Sequence, residues 1–161
     1  MSKLIPLTKG QFAIVDDEDY DCLNQYKWQA YKKVKIWYAM RSPRANGKRK
    51  TILMHRQILG LVNAGYKVHT DHINHNGLDN RRCNLRRCTN SQNQQNQRSL
   101  NSHSSQFKGV RLTIYKTYQS QIIVNKKYLH LGTFKIEIKA ARAYDKAAKK
   151  YFGQFAYING V

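Results

Sequence analysis

Acid is what this sequence has least of. Asp and Glu number 9 against 29 Lys and Arg, leaving a net charge of +20 on 161 residues. An enzyme acting on neutral molecules has no need of that imbalance. A polyanionic partner explains it, because each neutralised phosphate releases condensed counterions. Cysteine is also scarce. Cys22, Cys83 and Cys88 form an odd set with no second pair for a structural zinc site, so free thiols in a reducing cytoplasm are the expectation. No apolar run is long enough to span a membrane, and no signal-peptide pattern opens the chain. No RNA-binding motif is present. What remains is a basic chain whose 41% hydrophobic content suffices to bury real cores.

The few acids are unevenly placed. Asp16, Asp17, Glu18, Asp19 and Asp21 cluster near the N-terminus, and between residues 56 and 100 only Asp71 and Asp79 occur. An acid among arginines in a nucleic-acid-binding chain needs a reason, and metal ligation is one. Around these positions the pattern predicts a mixed α+β chain. Residues 4–15, 27–41 and 49–54 read as strands, with turn chemistry from Pro43 to Gly47. A helix opens near Asp16, where acids favour a helix N-terminus, and a short helix runs from Met54 to Leu61. Strands follow at Val68 to Ile73 and Leu85 to Cys88, then a polar helix over Asn90 to Gln97. After a polar stretch, residues 107–115, 118–125 and 127–134 read as three strands. Residues 136–151 read as a helix, with Ile136, Ala140, Ala143 and Ala147 at helical spacing.

The densest chemistry lies between Lys67 and Arg87. Asp71 and His72 are adjacent at the end of a strand, so their side chains point to opposite faces. Phosphodiester hydrolysis needs a nucleophilic water, a base near neutral pKa and a cation on the phosphate. His72 suits the base. Asp71 offers oxygen to a hard ion such as Mg²⁺ or Mn²⁺. Arg81, Arg82, Arg86 and Arg87 fit phosphate through the guanidinium fork. Asp79 and Asn80 suit Asx turns that hold the loop. His55, His69 and His75 read as supporting or DNA-contact residues.

This stretch resembles the HNH endonucleases, the ββα-metal fold of phage and intron homing nucleases. The likeness covers about residues 51–97 and runs through Met54-His55-Arg56, Asp71-His72-Ile73-Asn74, Asp79-Asn80-Arg81, Asn84-Leu85-Arg86 and Thr89 to Asn93. It implies that Asp71 ligates the metal, His72 activates water, Asn84 braces the loop between the strands, and Asn93 supplies a further ligand from the helix.

Further on, Phe107-Lys-Gly-Val-Arg111, Leu131-Gly-Thr-Phe134 and Ala140 to Ala148 together resemble the APETALA2-type DNA-binding domain, over about residues 105–159. That resemblance implies a three-stranded sheet in the major groove with a helix behind it. The DNA-facing positions would be Lys108, Gly109, Arg111, Thr113, Tyr115, Gln121, Ile123, Tyr128, His130, Thr133 and Tyr144. Thr113, Ile123 and His130 stand where the plant pattern has Arg or Trp, so the plant target does not carry over. Arg111 is the best candidate for a base contact, since Arg reads guanine bidentately.

The expected organisation is a β-rich module over residues 1–50, an HNH nuclease over 51–98, a linker over 99–106 and an APETALA2-type domain over 107–161. Lys32, Lys33, Lys35, Arg41, Arg44, Lys48, Arg49 and Lys50 would extend the DNA contact. The expected function is a site-specific, metal-dependent DNA endonuclease of the homing type, phage-like in kind. It would act on double-stranded DNA as a monomer without an obligate protein partner, nicking one strand. The competing expectation is a sequence-specific DNA-binding regulator whose HNH fold is catalytically idle.

Overall fold

The computed structural model describes residues 1–45, 47–65, 67–98 and 104–161. The chain is mixed α and β, with five small antiparallel sheets and four α-helices among the described residues. It divides into two compact units, Met1–Asn90 and Ser91–Val161.

The first unit opens with a hairpin, β1 (Ser2–Pro6) on β2 (Phe12–Asp16), where one extended strand had been expected. A 3-10 turn over Thr8–Gly10, with Lys9 and Gly10 both at positive φ, reverses the chain there. Helix α1 (Asp17–Asn24) follows, with Asp17, Glu18 and Asp19 in its first turn, where the helix dipole favours negative charge. Next come β3 (Gln29–Lys33), β4 (Ile36–Arg41), β5 (Arg44–Ala45), β6 (Lys48–Arg49) and β7 (Ile52–Leu53). β4 lies between β3 and β7, while β5 and β6 form a two-residue-per-strand hairpin. Helix α2 (Met54–Ile58) leads to β8 (His69–His72), which pairs with β9 (Leu85–Cys88) in the register Asp71 opposite Arg86 and His72 opposite Leu85.

One core serves all of these elements. Ile5, Ala13, Val15, Leu23, Trp28, Ala39, Ile52, Met54, Ile58 and Leu85 are buried together. Residues 1–50 are therefore not a separate module, because their apolar faces close over Met54 and Leu85. The loop between β8 and β9 is pinned to the same body. Ile14 N donates to Leu78 O at 2.8 Å and Asn80 N donates to Ile14 O at 2.7 Å. The clustered acids add to this: Asp16 accepts from the Arg82 backbone N–H, and Asp19 and Glu18 take the Arg82 guanidinium.

The second unit holds α3 (Asn90–Asn96) from Ser91 onward, then β10 (Val110–Leu112), β11 (Tyr118–Val124), β12 (Lys127–Phe134) and α4 (Glu137–Phe152). The three strands form an antiparallel sheet in sequential order. β11 turns into β12 through Asn125 and Lys126, both at positive φ, the twist a two-residue hairpin requires. α4 presents Ala140, Ala141, Tyr144, Ala147 and Ala148 to the sheet. The small alanines let helix and sheet approach, and Ile122 fills the space beside Tyr144.

The boundary falls at Asn90/Ser91, inside the stretch assigned to the nuclease, because hydrogen bonds tie α3 to residues 108 and 157. Of the expected linker, residues 99–103 lie outside the described residues. The rest is anchored. Ser105 is buried, its hydroxyl donating to Glu137 Oε1 at 2.6 Å.

Candidate active site and nucleic-acid interface

Asp71 and His72 end β8 and are both buried, at 5% and 7% exposure. Arg86 lies directly opposite Asp71 across the ladder. Its Nε (2.8 Å) and Nη2 (2.6 Å) both donate to Asp71 Oδ2. His72 sits in a nest of rings: His55 edge-on at 4.9 Å between centroids, and Tyr38 at 5.8 Å. Burial is the first cause that lowers the His72 pKa, and the Asn80 side chain and the Asp71 carboxylate oppose it. The ring is therefore held neutral near pH 7, the form that can accept a proton. His55 is pushed further, to about 3, by burial, and its Nδ1 has no hydrogen-bond partner among the described residues. Gly77 belongs to the same nest. A Cβ there would lie 2.7 Å from the Tyr38 ring and 2.4 Å from Trp37 O.

Asn84 ties the loop between the strands. Its Oδ1 accepts from Asn74 N at 2.9 Å, and its Nδ2 donates to Asp79 O at 2.7 Å. Asp79, almost fully buried, also takes the Asn74 amide and the Arg81 fork at 2.7 and 2.8 Å. That charge-assisted pair, with Arg81 named first among its causes, holds the Asp79 carboxyl below the usual carboxylate range. Arg56 braces the preceding loop through the carbonyls of Leu61, Ala64 and Val68.

The four arginines proposed for phosphate are all engaged within the protein. Arg81 is on Asp79, Arg82 on Glu18 and Asp19, Arg86 on Asp71, and Arg87 on the Leu59 carbonyl at 2.8 Å. Among the N-terminal cations, Arg41 stacks on Tyr26 and donates to Gln57, while Lys32, Lys33, Lys35, Arg44, Lys48, Arg49 and Lys50 are exposed. Among the described residues no three His, Cys, Asp or Glu side chains gather into a cage for an ion. Magnesium does not require one. It keeps several waters and takes one or two protein carboxylates together with substrate phosphates. A buried carboxylate such as Asp71 fits that donor set. Cys22 and Cys83 are exposed free thiols, and burial pushes the Cys88 thiol up to about 11.

Asn93 lies on α3, in the second unit. In that unit the face of the sheet away from α4 carries Arg111, Gln121, Ile123, Tyr128, His130 and Thr133. Tyr115 is exposed in the turn after β10, and Thr113 closes that turn on Thr117. Three positions expected to face DNA turn inward. Lys108 directs its ammonium at backbone carbonyls of residues 94, 95 and 97. Gly109, at φ +76°, lies so close to the Tyr144 ring that a Cβ would come within 2.0 Å of it, and Tyr144 is buried against the sheet.

One outward residue escaped the sequence reading. Gln119 takes the Arg111 Nε at 2.6 Å on its oxygen and reaches His130 Nδ1 at 2.9 Å with its nitrogen, linking all three strands. The two-residue alternation that selected Gln121 and Ile123 also selects Gln119. Tyr38, by contrast, had no signal beyond its place in an aromatic strand.

A basic chain with a buried Asp-His pair beside a braced loop has the features of a phosphodiester-directed protein, and comparison with known proteins agrees. Over 157 residues the chain is 32% identical to a protein of Acanthamoeba polyphaga mimivirus described as an uncharacterized HNH endonuclease, a match covering 95% of this chain and 77% of that protein. The chain belongs to the HNH endonuclease family. A 58-residue stretch is 41% identical to APETALA2-like protein 2 of rice, in both the indica and japonica subspecies, covering 35% of this chain and 13% of the rice protein. No family model matches.

Proposed function

We propose that the chain is a site-specific, metal-dependent DNA endonuclease of the homing type, hydrolysing phosphodiester bonds and nicking one strand as a monomer. Family membership supports a nuclease in general. The observation that carries the finer reading is the buried pair at the end of β8: an oxygen donor beside a histidine that burial keeps neutral.

In this reading β8, β9 and α3 are the ββα-metal core. His72 accepts the proton of the attacking water, and Asp71 and Asn93 supply oxygen ligands to Mg²⁺ or Mn²⁺. When bound, such an ion supplies positive charge to the scissile phosphate and the leaving oxygen. Asn84 keeps the Asn74–Asp79 loop closed beneath the pair. Tyr38 and His55 exclude water from one side of the His72 ring and fix its plane. Arg81, Arg82, Arg86 and Arg87 lend charge to the surface where DNA lies, and the outer face of the β10–β12 sheet reads double-stranded DNA in the major groove.

The Arg86–Asp71 contact favours a second reading, a DNA-binding regulator with an idle site, because a guanidinium already holds the carboxylate. Supercoiled plasmid incubated with Mg²⁺ or Mn²⁺, with and without EDTA, separates the two. Metal-dependent relaxation that disappears in EDTA and in His72→Ala, with DNA affinity of the variant kept within a few-fold, is the expected result. Intact plasmid under every divalent ion would leave the regulator.

A further inference from the structure

Helix α3 is weak by composition. Its seven residues are all polar, with no acid in the first turn and no base in the last. Only Asn96 is buried, so no apolar stripe fastens it. Helices this short are not self-supporting in water, and the last carbonyls of any helix lack intrahelical partners. Here Lys108 supplies them. Its Nζ donates to the carbonyls of Gln95 at 2.7 Å, Gln97 at 2.7 Å and Gln94 at 3.1 Å. An ammonium has three hydrogens, and three carbonyls take them. Positive charge at a helix C-terminus adds to the effect. Tyr157 N donates to Gln95 O at 3.3 Å, and the Tyr157 ring lies 5.5 Å from the ammonium.

Lys108 is itself fixed. Its backbone N–H donates to Asn159 Oδ1 at 2.8 Å, and Asn159 is held from both its own backbone and its amide by Asp145 on α4. A continuous chain of hydrogen bonds thus runs from α4 through Asn159 and Lys108 to the end of α3. Burial pulls the Lys108 ammonium down to about 8, a cost that a residue serving only as a solvated phosphate contact does not bear.

We propose that Lys108 is a positioning residue that holds helix α3, and with it Asn93, so that the nuclease centre is competent only when the C-terminal sheet and helix are folded around the lysine. This rests on the reading of Asn93 as a ligand. The C-terminal module then does more than select a site, because it also orders a helix that carries part of the chemistry.

The test uses the full chain with Lys108→Met, Lys108→Gln, Lys108→Arg and Asn93→Ala. Single-turnover nicking of supercoiled plasmid is followed at saturating protein across Mn²⁺ concentration. DNA affinity is measured in EDTA across salt, and amide hydrogen exchange is read over residues 93–98 and β11. Lys108→Met and Lys108→Gln are expected to nick about tenfold or more slowly and to need more Mn²⁺. Their salt slope should be unchanged, the amides of residues 93–98 should exchange faster, and Lys108→Arg should recover most of the rate. A salt slope shallower by about one, with an unchanged rate at saturation, makes Lys108 a phosphate contact and overturns the inference. A rate that falls while residues 93–98 stay protected overturns it equally. Asn93→Ala at the wild-type rate overturns the reading of the site, and the inference with it. An inactive Asn93→Ala beside a normal Lys108→Met overturns the inference alone.

Discussion

Arg86 places two donors on a single oxygen of Asp71, from directly across a two-stranded ladder. Both side chains are largely buried, at 13% and 6% exposure. Breaking such a pair from one side leaves an uncompensated charge, which costs about 3 kcal/mol or more, whereas replacing both partners costs much less. Arg86→Met should therefore destabilise the first unit by about that amount, and Asp71→Asn with Arg86→Met should regain most of it. The freed carboxylate should also bind Mg²⁺ more tightly. Added Mg²⁺ is then expected to raise the melting temperature of Arg86→Met more than that of the wild type. Equal responses to Mg²⁺ would show that Arg86 does not compete with a cation for Asp71.

His55 provides a pH signature. Its folded value, about 3, lies below its ordinary 6.5 because burial, then His72 and Arg56, disfavour the charged ring. The unfolded chain therefore takes up the proton first. The stability contributed is complete above about pH 6.5 and is lost progressively as the pH falls toward 3. His55→Phe keeps an aromatic ring beside Tyr38 and His72 and removes the proton site. Between about pH 6 and pH 4 the wild type should lose roughly 1.4 kcal/mol per pH unit more than this variant. Urea midpoints at several pH values measure the difference, and parallel curves would exclude His55 as the source.

The close approach of Gly109 to Tyr144 gives a purely steric prediction. Alanine there meets the ring at 2.0 Å and must also adopt φ +76°. Gly109→Ala should cost on the order of 2 kcal/mol or more in the second unit, since overpacking and a left-handed backbone are both penalised. Loss of DNA binding without loss of stability would instead return Gly109 to the DNA face.

The elements around the site were legible because local chemistry dictates them. Alternation marked β11 and β12, alanine spacing marked α4, and the order of Asp71, His72, Asn74 and Asp79 marked a strand followed by an Asx-rich loop. Long-range pairings left no such trace. Nothing near Arg82 announces that Asp19, 63 residues away, will hold it, and a stretch of arginines reads as free cation until its acids are located. Lys108 misled for the same reason: its neighbours Gly109 and Arg111 resemble a DNA-reading motif, while its carbonyl partners lie 11 to 14 residues earlier. The first hairpin was read as one strand because the reversal rests on Lys9, a residue with no turn preference of its own.

The row Arg111, Gln119 and His130 gives the last prediction. Arginine can only donate, so the Gln119 oxygen must face Arg111 and its amide nitrogen must face His130. His130 Nδ1 therefore accepts, and the neutral ring carries its hydrogen on Nε2. The row then offers outward only donors: the two Nη groups of Arg111 and the Nε2–H of His130. In the major groove, guanine presents two adjacent acceptors, N7 and O6, to such a fork. Selection of duplexes from a random pool by the full-length chain should return a guanine at a fixed position. Arg111→Ala should erase that preference, at about 1–3 kcal/mol. Gln119→Leu keeps Arg111 but frees its fork and unties His130, so the preference should weaken by a smaller amount while the salt dependence stays the same. An unaltered guanine preference in Gln119→Leu would mean that Gln119 does not orient the reader. A selected site without guanine would mean that Arg111 binds phosphate and the bases are read elsewhere on the sheet.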